Sequence, residues 1–333
     1  MVPLVVEPRG VDFLDSPFGY VLLVLRTSNT YPFRTMEVST ALTLELGSLH
    51  QPVVTAYQLG VILFQLYRAK SYQGQALVRL EKEAPAPSDL KRITDRLLKN
   101  GVLQPYKGLS GSVFALLGQR PAPADVACVV NPFAYLSHLS AMEYHGLTQR
   151  MPAILSLSSP SPAEWQQFAL ARMKRDLGEE AFEGYRASGL PVLTQPRFDK
   201  IERQPVKVYS SSHLGAFVAV RDRPLRVATV GRTFLDMVRE PDLCGGIYHV
   251  LEVFEAHAAT YLRLITDEIE QHGTKIDKVR AGYILDERCG LKSSVLDRWQ
   301  AEVQRGGSRK LYAKGEYSSR FSERWSLSLN IEE

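Results

Sequence analysis

His249, Glu252 and Glu255 stand three residues apart in IYHVLEVFEAH, with His257 just beyond. On a helix this spacing puts His249 and Glu252 on adjacent turns, where an imidazole and a carboxylate can share a metal ion. No third fixed ligand accompanies them, and a polar outer helix face accounts for the same pattern. Neither a metal nor a cofactor is expected. Asn131–Leu147 gathers Ser137, His138, Ser140, Glu143 and His145 into one segment that ends at Gly146. A Ser–His relay needs the hydroxyl within reach of the ring. Sequence neighbours on a helix point apart, so Ser137 and His138 are expected to serve in capping and interdomain hydrogen bonds. The chain has no GxxxxGK[ST], GxGxxG, GxSxG or HExxH motif. It also has no Asp-x-Asp, and its Glu81/Glu83 and Glu268/Glu270 pairs follow no Gly-Ser turn that could present metal-bound phosphates. The reading is therefore not an enzyme. The alternative left standing is a nucleic-acid-processing enzyme whose basic surface holds its substrate.

A second chemistry, cations arranged to meet phosphate, has a better frame. Leu59, Ile62, Leu63 and Leu66 recur at spacings of three and four and predict an amphipathic helix over Thr55–Arg68. Gln75–Glu83 follows as a short helix or strand, ending at the breaker Ala84-Pro85-Ala86-Pro87. Ser88 is the expected N-cap of the next helix, DLKRITDRLLKN, with Asp89 at its positive end and Gly101 as its closing glycine. Leu90, Ile93, Leu97 and Leu98 form the buried stripe, which turns Lys91, Arg92, Arg96 and Lys99 outward. Two strand-like runs, Val102–Tyr106 and Val113–Leu117, enclose a polar turn carrying Lys107, Ser110 and Ser112. A capped basic helix followed by a hairpin with a polar tip is the order of a winged helix-turn-helix, in which the helix reads the major groove and the wing touches backbone. The DNA-binding residues expected from this order are Lys91, Arg92, Arg96, Lys99, Lys107, Ser110 and Ser112.

The 333 residues suffice for two domains, and 45% hydrophobic with 23% charged residues is a globular composition. A net charge of +4 is too weak to argue by itself for a polyanion partner. Cys128, Cys244 and Cys289 are odd in number and widely spaced, as expected of reduced thiols. No apolar run approaches the ~20 residues of a membrane span, and the start MVPLVVEPRG lacks a basic region before its apolar stretch. No membrane partner and a cytoplasmic location are expected. The expected fold class is α+β. Residues 1–50 form an unassigned N-terminal extension in which Met36 is a candidate start, 51–118 the winged helix-turn-helix domain, and 119–333 a larger mixed α+β domain. In the last of these, helices are expected near Tyr135–Tyr144, Pro162–Arg172 and Gly246–Gln271. Strands are expected at Ala153–Leu157, Val206–Tyr209, Leu225–Thr229 and Ser326–Leu329. Near its end, Arg305, Arg309 and Lys310 flank Gly306-Gly307 in a stretch rich in positive charge. Two readings apply: a solvated strand edge, or an anion site in which glycine N–H groups and arginine forks grip a phosphate.

Three blocks, YLSHLSAMEYHGLT, RTFLDMVREPDLCGG at Arg232–Gly246 and RGGSRKLYAKGEYSSRFSERWSLSLN at Arg305–Asn330, carry a resemblance in their order. With the helix and wing at Ser88–Leu117, the chain from about residue 50 resembles the AbiEi family, antitoxins of type IV toxin–antitoxin and abortive-infection (phage-defence) systems. The resemblance implies an N-terminal winged-helix repressor of the protein's own operon. It also implies a C-terminal antitoxin domain that counters a nucleotidyltransferase-type toxin encoded alongside. The implied partners are operator DNA and, functionally, that toxin.

Overall fold

The computed structural model describes residues 35–109, 112–118, 121–211, 214, 216–303 and 309–332. Its first helix, α1 (Val38–Ser48), buries Val38, Ala41, Leu42 and Leu46. The sequence hides this helix because Leu44 faces outward, 47% exposed, so apolar residues fall on both sides and blur the period. Strand β1 (Val53–Thr55) runs straight into α2 (Ala56–Ala69). At that junction Thr55 Oγ1 accepts from the Gln58 N–H at 3.2 Å and Gln58 Oε1 accepts from the Thr55 N–H at 2.9 Å, a reciprocal cap. The segment after α2 is extended. A tight hairpin, β2 (Ser71–Tyr72) and β3 (Gln75–Ala76), is followed by Leu77, which bridges in parallel to Met36.

Helix α3 spans Pro87–Lys99. Its N-cap is Ala86, two residues earlier than expected: Pro87 fits the first helical position and draws Ser88 inside the helix. Asp89 Oδ2 accepts from the Ala86 N–H at 3.0 Å. Gly101, at φ 72°, closes the helix. Val102 N–H reaches Leu97 O at 3.0 Å and Gly101 N–H reaches Leu98 O at 3.1 Å, the paired bonds of a Schellman turn. Strands β4 (Leu103–Pro105) and β5 (Val113–Leu116) then pair antiparallel, Leu103 against Leu116. β5 also pairs antiparallel with β1, giving a three-stranded sheet in the order β1-β5-β4. α4 (Pro123–Val130) follows.

The chain divides into two compact units, and the division does not follow the break expected at residues 118 and 119. One unit runs through Pro132 and takes back Ser161–Arg197; the other holds Phe133–Pro160 and everything from Phe198. After α4 the chain contributes β6 (Tyr135–Leu136), α5 (His138–Tyr144) and β7 (Leu155–Pro160) to the second unit. It then returns to the first with α6 (Pro162–Leu177) and α7 (Glu179–Ala187). The apolar faces of these two helices explain the return. Met173, Leu177, Phe182 and Tyr185 join Leu59, Leu63 and Phe64 of α2 in one core, to which α1 also contributes. Polar contacts fix the packing, with Tyr57 Oη donating to Asp176 at 2.9 Å and Arg172 Nε to the same carboxylate at 2.7 Å. Part of the expected N-terminal extension and part of the expected C-terminal domain are thus built into the first unit.

The second unit completes a six-stranded sheet with β8 (Lys200–Ile201), β9 (Gln204–Ser211), β10 (Phe217–Ala219) and β11 (Arg226–Ala228), in the order β10-β11-β6-β7-β9-β8. β11 lies parallel to β6 and β7 parallel to β9. Helices α8 (Val230–Arg239), α9 (Ile247–His272), α10 (Lys275–Tyr283) and α11 (Ser294–Ala301) and the hairpin β12 (Phe321–Ser322) with β13 (Leu327–Ser328) complete the class, α+β. α8 and α9 meet at Gly231, where a Cβ would fall 2.3 Å from Leu264 O. Their core centres on Phe234 and Phe254, edge to face at 4.8 Å. No helix of the described residues is long and apolar enough to cross a membrane.

Candidate functional site

Leu90, Ile93 and Leu97 anchor α3 in the first core, so the opposite arc is set by geometry. Ser88, Lys91, Arg92, Asp95 and Lys99 lie on that arc and are exposed. Lys91 and Lys99 have no ion-pair partner among the described residues. Arg92 approaches Asp89 at 3.6 Å while remaining 64% exposed. Partial burial pushes the Asp89 carboxyl up, but bonds from the Ala86 N–H and Lys82 more than offset this and hold it below the usual carboxylate range. Arg96 is different. It sits on the flank of the helix, where Nη1 donates to Glu37 at 2.7 Å and to Ser39 Oγ at 3.2 Å, at the start of α1. The outward cationic row is therefore Lys91, Arg92 and Lys99.

The β4–β5 hairpin is tied to the start of α2. Thr55, the cap of α2, pairs with Val113, and the Ala56 N–H donates to Ser112 O at 2.7 Å. The tip thus lies beside the N-terminus of α2. Lys107 and Ser112 are exposed there, and Ser110 lies outside the described residues.

In the second unit, Arg305 and the Gly306-Gly307 pair lie outside the described residues. Lys310 turns inward: its Nζ donates to Gly315 O at 2.7 Å, and its carbonyl accepts from Arg280 Nε at 3.0 Å. Arg309 is half-buried, with its carbonyl accepting the Ser328 N–H at 2.8 Å. Lys314 pairs with Asp242 at 2.6 Å and Arg324 with the buried Asp286. Much of this positive charge thus holds the C-terminal hairpin in place.

The His249 pair is used internally. Nε2 lies 2.8 Å from Thr148 Oγ1 and Nδ1 lies 3.2 Å from Glu252, while Glu255 pairs with Arg288 at 2.6 Å. Among the described residues no group of three His, Cys, Asp or Glu side chains could hold a metal ion. All three cysteines are free thiols.

Ser137 and His138 correct the sequence argument. Their side chains meet, with Ser137 Oγ 2.8 Å from His138 Nδ1. Ser137 is the extended cap of α5 and not a helical residue, and His138 takes φ 53°, which swings its ring back over the hydroxyl. Burial pushes the imidazole down, which favours the neutral ring. Ser137 is fully buried, which closes it to a substrate; the bond fixes the reversal from β6 into α5. His145 Nε2 lies 2.7 Å from Ala228 O, a contact within the second unit and not between units.

Sequence inspection misses the buried polar layer beside this pair. Its signal is the alternation of Ser156 and Ser158 in β7, which shares a sheet face with Tyr135 and Tyr209. Arg232 of α8 packs there, donating to Asp236 at 2.7 Å and to Ser211 Oγ at 3.4 Å. Among the described residues Tyr135 Oη, flanked by Ser158 and Ser211, makes no hydrogen bond of normal geometry, and neither do Asp236 Oδ2 and Glu268 Oε1.

Burial, with the Asp236 charge adding to it and Arg232 opposing it, pushes the Glu268 carboxyl up to about 7 from an ordinary 4.5. The native state then binds a proton that the unfolded chain releases, so this group's contribution falls as pH rises from 4.5 to 7. Glu268→Gln is expected to remove that loss and to gain on the parent by the order of 3 kcal/mol between the two limits. Urea midpoints of parent and variant at pH 5 and pH 8 measure it, and a pH-independent difference contradicts it.

No family model matches this chain, and no curated protein sequence does.

Proposed function

We propose that this protein is a DNA-binding repressor of its own operon and the antitoxin of a type IV pair. Its DNA-reading part is a winged helix-turn-helix made of α1, β1, α2, α3, β4 and β5. The observation that carries the reading is the order α1, β1, α2, the small β2–β3 hairpin, α3, β4 and β5 with an antiparallel β1-β5-β4 sheet, joined to an α3 whose free arc presents Lys91, Arg92 and Lys99. Lys107 and Ser112 of the wing and the α2 N-terminus beside them supply backbone contacts. The antitoxin half rests on the AbiEi-like blocks, which all fall in the second unit. In this reading that unit counters a nucleotidyltransferase-type toxin.

The test is binding of the full chain to DNA upstream of its gene. The parent is expected to retard that DNA in a gel, and Lys91→Ala/Arg92→Ala/Lys99→Ala to lose most of the shift. Arg96→Ala is expected to have a smaller effect, because Glu37 already holds its guanidinium. A parent that does not bind, or a triple variant that binds unchanged, overturns the reading. Coexpression with an adjacent toxin of that class tests the antitoxin half, with restored growth as the expected result.

A further inference from the structure

A carboxylate lies in the middle of the cationic arc of α3. Asp95 is exposed and follows Ser88, Lys91 and Arg92 at helical spacings, with Lys99 one turn further on. Lys91 and Lys99 each stand four residues from it, yet neither forms an ion pair with it, and Asp95 has no hydrogen-bond partner among the described residues. A free carboxylate facing a duplex is repelled by phosphates unless a donor meets it. The base edges of the major groove offer two such donors, the N4 amino group of cytosine and the N6 amino group of adenine. Adenine sets its N7 lone pair beside N6, which repels a second acceptor, whereas cytosine presents N4 with only C5–H alongside.

We propose that Asp95 is a specificity-determining residue that reads a cytosine, its carboxylate accepting from the N4 amino group in the major groove. The inference rests on the DNA-binding reading above and adds to it a base and the residue that reads it. Lys91 and Lys99, one turn to either side, offset the repulsion from neighbouring phosphates and leave the carboxylate oxygens free for the base. The affinity of the site then comes from the lysines and Arg92, and its discrimination at one position from Asp95.

Selection of bound sequences from a randomised duplex pool, using the full chain, tests the proposal. The parent is expected to enrich a site with one invariant cytosine, and its replacement by thymine, which presents an acceptor in place of the amino group, to weaken binding about 10- to 100-fold. Asp95→Ala is expected to bind the two duplexes within about twofold of each other, and Asp95→Asn to shift the preference there to adenine, whose N6 and N7 match the amide. If parent and both variants enrich the same site with the same base preferences, Asp95 does not read a base and the proposal is overturned while DNA binding stands. If the parent enriches nothing and binds no duplex, the DNA-binding reading falls and the proposal with it.

Discussion

Tyr185→Ala is expected to destabilise the first unit by about 3–5 kcal/mol, the range for removing a buried aromatic ring. Tyr185 is fully buried, meets Tyr57 and Phe64 edge-on at 6.4 and 5.3 Å, and donates from its hydroxyl to Pro191 O at 2.6 Å. Gly60 lets α2 approach the Tyr185 hydroxyl so closely that a Cβ would stand 2.6 Å from it. Tyr185→Phe keeps the ring contacts and should cost about 1 kcal/mol, the worth of one hydrogen bond. Urea unfolding followed by circular dichroism separates the two. An alanine variant within about 1 kcal/mol of the parent would contradict the claim that α6 and α7 are part of this core. A related consequence is that a fragment beginning near Pro121 exposes the apolar faces of α6 and α7 that α2 otherwise covers.

The second large effect belongs to the other unit. Arg232→Ala leaves the Asp236 carboxylate buried without its cation, and an uncompensated buried charge costs about 3–5 kcal/mol. Asp236 is 3% exposed, so bulk solvent does not reach it to soften the loss. Replacing both partners, Arg232→Met with Asp236→Leu, should recover most of the stability, because two apolar side chains need no compensation. Thermal melts of the parent, Arg232→Met, Asp236→Leu and the double variant close the cycle, with Arg232→Ala measured beside them. A double variant no more stable than Arg232→Ala would show that the site depends on the charges themselves, with Ser211 and Glu268 as the remaining members of the network.

What the sequence discloses and what it conceals follow from how local each signal is. α3 is legible almost to the residue because a proline, an acidic first turn, a regular apolar stripe and a closing glycine all lie within fifteen positions. The β4–β5 hairpin and α9 are legible for the same reason. α1 is concealed because Leu44 breaks its stripe, and the extended path of Gln75–Glu83 because the pairing of Leu77 with Met36 spans distant positions. The domain boundary fails on a tertiary fact, that the apolar faces of α6 and α7 belong to α2, which no local pattern reveals. At the candidate interface, residue types and the outward arc can be read from the helix period, but the capture of Arg96 by Glu37 cannot, since Glu37 caps a different helix far away in sequence. The Ser137–His138 bond is missed through a correct rule applied to the wrong conformation: the rule holds on a helix, and Ser137 is not on one.

Salt dependence of binding shows whether the free arc of α3 meets DNA phosphate. Each phosphate contact contributes about 0.9 to the slope of log K against log salt on duplex DNA. Fluorescence anisotropy of the full chain on its upstream duplex, titrated from low to physiological salt, should give a steep negative slope. For Lys91→Ala/Arg92→Ala/Lys99→Ala, with the same circular dichroism spectrum as the parent, the slope should be shallower by about 2 to 3. A parent slope near zero, or a triple variant with unchanged slope and affinity, would contradict the account.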